Sequence, residues 1–273
     1  MPSDSAAREL AGGKLLVDEP LAQVARLTIS NPDKRNALDH PILDAITATL
    51  SELQAGDTRC VIVTGAHGMF SAGYDIGEIP DDDFERRAER LVARPFTAAI
   101  DALETFPCPT LASLPGHTIG GGLELALACD LRVAQQDISL GMPPARLGLV
   151  YSHTGLRRFV DTIGAPRTRE LFLLAEQIDA PAALAWGLVN RVAPAAELEA
   201  LTLQLAGTLA ANAPLSQRGN KRVIAALLDA RGQLAPETEN ELIELRLASF
   251  ASQDIREGMR AFVEKRAPRW RGE

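Results

Sequence analysis

No stretch of this sequence is apolar for the roughly 20 residues that a bilayer-spanning helix needs. Its start, MPSDSAARELAGGKLL, lacks the basic-then-apolar order of a secretory leader. A cytoplasmic protein that enters no membrane is the expectation. Cysteine is scarce: 3 in 273 residues. Cys60, Cys108 and Cys129 lack CxxC spacing and stand beside apolar neighbours, a pattern of small buried thiols rather than of a disulfide framework or metal site. Positive charge is in the minority, with 28 Lys and Arg against 36 Asp and Glu and a formal net charge of −8. That field disfavours nucleic acid, and an anionic ligand would need a local basic site. The crowded EKRAPRWRG stretch, with Lys265, Arg266, Arg269 and Arg271, is one candidate, although a solvated basic tail has the same spacing. The nucleotide signatures GxxxxGK[ST] and G-x-G-x-x-G are both missing.

What is present is ordinary globular material, 46% hydrophobic and 23% charged, enough for one large domain or one domain with an appendage. Residues 1–12 are small and polar and read as a loose tail. Val24 to Ile29 partly alternates and runs into the turn Asn31-Pro32-Asp33, so it reads as a strand. Ile42, Leu43, Ile46 and Leu50 recur at helical spacing behind a candidate cap, Asp39. Cys60 to Gly65 and Pro109 to Leu114 are short apolar runs that suit strands buried on both faces. The alternation of strand and helix predicts α/β architecture over 13–193. A helical region is expected over 194–273.

Two loops carry the candidate chemistry. Phe70-Ser71-Ala72-Gly73-Tyr74-Asp75-Ile76 and Gly120-Gly121-Gly122-Leu123-Glu124 each follow a buried strand and bring glycine to a helix start. There the backbone can approach a ligand closely, unpaired N–H groups face outward, and the helix dipole favours negative charge. Two such donors converging from different loops would form an oxyanion hole for enolate or acyl chemistry. The triple glycine alone fits close helix packing equally well, and Glu124 alone fits a dipole partner or a solvated face.

Taken as a set, NPDKRNAL (Asn31 to Leu38), FSAGYDI (Phe70 to Ile76), GGGLELALACDLRVA (Gly120 to Ala134), ALAWGLVNRV (Ala183 to Val192) and EGMRAFVEKRAP (Glu257 to Pro268) resemble the enoyl-CoA hydratase/isomerase, or crotonase, superfamily. The resemblance implies a core of repeated ββα units, a helical C-terminal trimerisation region, and homotrimers or hexamers built as dimers of trimers. It implies an acyl-CoA substrate whose thioester carbonyl is held by two backbone N–H groups, at Tyr74 and Gly121 here, with Glu124 on the first catalytic glutamate. Arg35, Ala37, Ala72, Gly73, Asp75, Ile76, Gly120 and Pro143 fall on substrate- and CoA-binding positions, and Lys265 on a lysine presented to the CoA phosphates or adenine. Asp75 could also simply cap a helix, and Asp130 reads as structural. No cofactor beyond the substrate's own CoA, no metal and no nucleic acid is implied.

Hydratases of the family activate one water with two glutamates, the second within G-x-P-E-x-x-x-G. Here that stretch is Gly141 to Gly148 and proline, Pro144, replaces the glutamate, so a proton-transfer contribution of about 10²–10⁴-fold has no side chain to supply it. The dehalogenase branch needs an aspartate just after Gly148, where Leu149-Val150-Tyr151-Ser152-His153 stands. That stretch, the SAGYDI motif and the closing EGMRAFVEKRAP instead resemble the decarboxylases of methylmalonyl-CoA and related thioesters, which carry a tyrosine at Tyr151. In some of those a threonine occupies the place of Pro143. Decarboxylation through the enolate is therefore the leading expectation, with Tyr151, Glu124 or a water as proton donor. Two alternatives stand beside it: an enoyl-CoA hydratase or isomerase using Glu124 alone, and a non-catalytic scaffold member. A half-buried Tyr151 with its hydroxyl at the surface is open too. His153 reads as a loop residue, and His67 and His117 carry no assigned role.

Overall fold

The computed structural model describes residues 7–75 and 94–272. Its centre is a sheet of seven strands: β1 (Arg8–Leu10), β2 (Leu15–Leu21), β3 (Val24–Ile29), β4 (Cys60–Gly65), β6 (Thr110–Leu114), β8 (Leu131–Gln135) and β11 (Arg191–Ala193), side by side in that order. The first three are antiparallel neighbours; from β3 onward the pairs are parallel. β4 lies between β3 and β6 and is apolar throughout because both its faces are covered. Val61 and Val63 point into the main core, and Cys60 and Ile62 point the opposite way, as alternation along a strand requires. All three cysteines are buried.

A second sheet, in the order β10 (Ile178–Asp179), β9 (Ser139–Gly141), β7 (His117–Ile119) and β5 (Met69–Ser71), stands beside the first. The chain alternates between them. β4 is followed by β5, β6 by β7 and β8 by β9, each pair placing one strand in each sheet. Helices follow: α2 (Arg94–Glu104), α3 (Gly121–Leu127) and α4 (Pro144–Leu147). This is the repeated ββα unit expected from the family resemblance, and the expected α/β class with it. Ahead of these units, α1 (His40–Gln54) buries Ile42, Leu43, Ile46 and Leu50, and the Asp39 carboxylate caps it by accepting the Ile42 N–H at 3.0 Å.

Beyond the units, α5 (His153–Arg169) is interrupted at Gly164, and α6 (Ala180–Ala185) leads into β11. The first helix past residue 194, α7 (Ala195–Ala211), lies on the large sheet, where Leu198 and Ala206 pack with Val24, Cys60, Ile62, Leu111 and Val133. α8 (Pro214–Arg231), α9 (Pro236–Ala251) and α10 (Gln253–Val263) complete ten α-helices among the described residues. Asp130 is structural: one carboxylate oxygen takes the Thr110 N–H at 2.7 Å, the Thr110 hydroxyl at 3.0 Å and Lys221 Nζ at 2.7 Å, pinning β6 and α8 together. Among the described residues no helix is long and apolar enough to cross a membrane.

One expectation needs correction. The loose tail drawn over 1–12 is ordered from β1, whose Arg8, Glu9 and Leu10 pair with Val17, Leu16 and Leu15. An edge strand buries little side chain, so polar composition hid it, while the Arg8–Glu52 ion pair at 2.7 Å fastens it to α1.

The start of α3 is pressed against β5 at Gly122, where a Cβ would meet the Ser71 Cβ at 2.6 Å and its carbonyl oxygen at 2.8 Å. Gly122→Ala is therefore expected to destabilise the protein by about 1–3 kcal/mol, the usual cost of overpacking. Urea unfolding followed by circular dichroism measures it; an unchanged midpoint would show that α3 can slide away from β5.

Candidate active site

Three backbone segments are laced together at the end of β5. Leu38 forms a parallel bridge to Tyr74, donating its N–H to the Gly73 carbonyl at 2.8 Å and accepting from the Asp75 N–H at 2.9 Å. The Ala72 N–H reaches the Arg35 carbonyl at 3.0 Å. Asn36, in the left-handed region with φ 55°, donates its amide to the Ala66 and Met69 carbonyls at 2.9 and 2.7 Å. Lys34 pairs with Asp75 at 2.6 Å. Arg35, Ala37, Ala72, Gly73, Tyr74 and Asp75 are thus one assembly. Ile76, and the residues an Asp75 cap would serve, lie outside the described residues.

The bridge to Leu38 uses the peptide groups on either side of Tyr74, which turns the Tyr74 N–H away from Leu38 and towards α3. A Cβ on Gly121 would lie 3.3 Å from the Tyr74 nitrogen and 3.2 Å from the Phe96 ring. Gly121 heads α3, where backbone N–H groups have no partner within the helix. The two amides expected from sequence are therefore neighbours. Gly120 donates to the Gly141 carbonyl at 2.9 Å, and Pro143 packs beside it, its Cδ 3.8 Å from where a Gly120 Cβ would be. Pro144 is buried at the first turn of α4 and presents no ionisable group.

Glu124 occupies the first turn of α3, one turn from Gly121, and is only 3% exposed. Both carboxylate oxygens are engaged. Oε2 accepts a short hydrogen bond from the Tyr151 hydroxyl, and Oε1 accepts from Arg158 Nη1 at 3.0 Å. Arg158 in turn holds Glu104 with Nε at 2.5 Å and Nη2 at 2.8 Å. Burial pushes the Glu124 carboxyl above its usual range, against the opposing pull of Tyr151 and Arg158. Burial also raises the Tyr151 hydroxyl well above the usual phenol value, and the neighbouring carboxylate adds to it. For Arg158 burial works downward, but Glu104, Glu124 and Asp101 outweigh it and hold the guanidinium above its ordinary value. The pair fits together because residue 155 is glycine: a Cβ there would lie 2.6 Å from the Tyr151 ring and 2.9 Å from Glu124 Oε1.

The open reading of Tyr151 with a surface hydroxyl is overturned, since that hydroxyl is spent on a buried carboxylate and the ring meets Phe172 edge-on at 5.5 Å. His153 begins α5 and faces Glu239 at 3.5 Å. The His117 ring accepts the Ser139 N–H at 3.0 Å, and His67 lies 3.5 Å from the Ser30 hydroxyl. Lys265 stands exposed just past α10, and no described contact joins it to the loops. Among the described residues no group of three His, Cys, Asp or Glu side chains is placed to hold a metal ion. Sequence reasoning missed Arg158, Glu104 and Phe96. Arg158 is 34 positions from Glu124 and looks like any charged residue of an amphipathic helix, so local pattern carried no signal.

The sequence model of the enoyl-CoA hydratase/isomerase family matches residues 19–273. A probable enoyl-CoA hydratase of Mycobacterium bovis is 33% identical over 91% of this chain and 94% of its own length. The methylmalonyl-CoA decarboxylase of Escherichia coli is 32% identical over 92% of this chain and 95% of its own. Among solved structures, a methylmalonyl-CoA decarboxylase in complex with 2-nitronate-propionyl-CoA superimposes with a TM-score of 0.87 at 30% identity, over 95% of this chain and 99% of that one.

The raised Glu124 carboxyl has a consequence for stability. Its folded value lies above its unfolded value, so the native state binds the extra proton between the two, and stability falls as pH rises through that window. Glu124→Gln is expected to remove this slope, read as the difference between wild-type and variant unfolding free energies from pH 4 upward. Parallel pH profiles for the two proteins would contradict it.

Proposed function

Because the chain belongs to the enoyl-CoA hydratase/isomerase family and is a crotonase-superfamily acyl-CoA enzyme, we propose that it is a lyase that decarboxylates a methylmalonyl- or ethylmalonyl-CoA-like thioester. The observation that carries this reading is the shortage of free carboxylate: Glu124 is engaged on both oxygens, and Pro144 stands where a hydratase has its second glutamate. Water addition needs a base free to take a proton from water. Loss of carbon dioxide needs no base, only a place for the electron pair. The resemblance to proteins named methylmalonyl-CoA decarboxylase supports the same choice. Hydration or isomerisation by Glu124 alone is the competing reading, supported by the relative named a probable enoyl-CoA hydratase.

In this mechanism the thioester oxygen accepts the Tyr74 and Gly121 N–H groups. The bond between C2 and the carboxylate breaks, its electron pair enters the enolate with charge on that oxygen, and carbon dioxide leaves. One proton then reaches C2 from a water positioned by the Tyr151 hydroxyl oxygen, which accepts from that water while its own proton is held on Glu124. Partly apolar surroundings, Phe96 beside Gly121 among them, disfavour the substrate carboxylate relative to neutral carbon dioxide. No metal or organic cofactor takes part, since the thioester carbonyl is the electron sink. Arg35, Ala37, Ala72, Gly73 and Asp75 line the approach for the CoA ester, Gly120 and Pro143 its acyl end, and Lys265 meets the phosphates as a point charge.

The same proposal includes a homotrimer or a dimer of trimers. α8 carries Val223, Ile224, Leu227 and Leu215 at 57% to 83% exposure, apolar surface that association would cover.

Purified protein offered methylmalonyl-CoA and crotonyl-CoA is expected to release carbon dioxide and propionyl-CoA from the first and leave the conjugation of the second unchanged; turnover of crotonyl-CoA alone sinks the decarboxylase reading. Tyr151→Phe should lower kcat with CoA-ester binding nearly intact, and unchanged kcat removes Tyr151 from the reaction. Gly121→Pro should cost at least about 10²–10³-fold in kcat, the usual loss for one oxyanion donor, in protein shown to be folded by circular dichroism. Sedimentation equilibrium should give three or six chain masses, and a monomer refutes the assembly.

A further inference from the structure

Arg158 belongs to no motif of the sequence and to no step above, yet its guanidinium joins the surface to the buried carboxylate. Its side chain is 16% exposed, between Glu104 at 38% on one side and Glu124 at 4% on the other, with Asp101 3.7 Å from Nη2. Resting on the acyl-CoA reading of this site, we propose that Arg158, anchored by Glu104, is a positioning residue that keeps Glu124 ionised and so fixes the direction of the Tyr151 hydroxyl.

The reasoning is one of donors and acceptors. An ionised carboxylate only accepts, so Tyr151 must donate to it, and the hydroxyl proton is held on one line. A protonated Glu124 carries a donor of its own, and the hydroxyl is then released to turn. A guanidinium is charged at every working pH, which makes Arg158 a fixed counter-charge. Two of its N–H groups are spent on Glu104, so the remaining arm is aimed rather than mobile. The groups facing Glu124 come from four elements: Tyr151 from the segment before α5, Arg158 from α5, Glu104 from α2, and Arg246 from α9, while Asp101 of α2 faces Arg158. Of these only Arg158 brings a positive charge into hydrogen-bond contact with the carboxylate among the described contacts.

The chain has 2 tyrosines, so protein labelled with ¹³C at tyrosine Cζ gives two ring signals, and Tyr151→Phe identifies one. Followed against pH in the folded, substrate-free protein, the Tyr151 signal reports the ionisation of Glu124, and Glu124→Gln abolishes that transition. In Arg158→Gln the midpoint is expected to rise by about 1–3 pH units, the usual effect of a contacting opposite charge. The acid limb of kcat/KM should rise with it, and Arg158→Lys should restore most of both. Arg158→Met serves as the second variant should the glutamine fail to fold. An unchanged midpoint in either folded variant, or a shift that lysine does not reverse, overturns the proposal. A shifted midpoint in a protein that turns over no acyl-CoA overturns the reading of the reaction instead, leaving only the electrostatic pairing.

Discussion

A carboxylate removed from water must find its counter-charge and its hydrogen bonds close by, and Glu124 does so within one helical turn of the place where two backbone amides meet. At 3% exposure it cannot rely on solvent. Tyr151 takes one oxygen and Arg158 the other, while Gly155 leaves the space that lets all three approach. The first turn of α3 therefore does two things at once. Its leading residue adjoins the Tyr74 loop, and its inward side chain, Glu124, meets Tyr151 and Arg158.

The fold serves this arrangement by repetition. Each ββα unit sends one strand into each sheet, and a junction follows the second strand. Two consecutive junctions bring Tyr74 and Gly121 together. The approach is maintained by backbone bonds, from Leu38 to Gly73 and Asp75 and from Ala72 to Arg35, which are largely indifferent to side-chain identity. Side-chain identity matters where the backbone has no other means of support: Asn36 clips the loop through two carbonyls, and Ser71 accepts the Gly73 N–H at 3.1 Å.

Chemically, the site is better supplied with hydrogen-bond donors than with free bases. Pro144 removes one carboxylate from the site, and the engagement of Glu124 on both oxygens constrains the other. What is left is a pair of neighbouring backbone amides and a tyrosine hydroxyl, the equipment on which the proposed enolate chemistry rests.

Much of this was legible in the sequence because it depends on short-range rules. Alternation and continuous apolar runs marked β3, β4 and β6, helical spacing and Asp39 marked α1, and glycine in two loops that follow buried strands marked the amide pair. The ordered motifs identified the family, and Pro144 could be read directly as an absent acid. Other features depended on the tertiary structure. β1 is an edge strand with exposed side chains, held by pairing that leaves no hydrophobic pattern. The inward turn of the Tyr151 hydroxyl and the bond from Arg158 to Glu124 join residues 27 and 34 positions apart. Sequence determines which groups a helix carries and on which face; which charge a buried carboxylate meets is decided only when α3 and α5 pack, because desolvation selects a partner by distance through space and not along the chain.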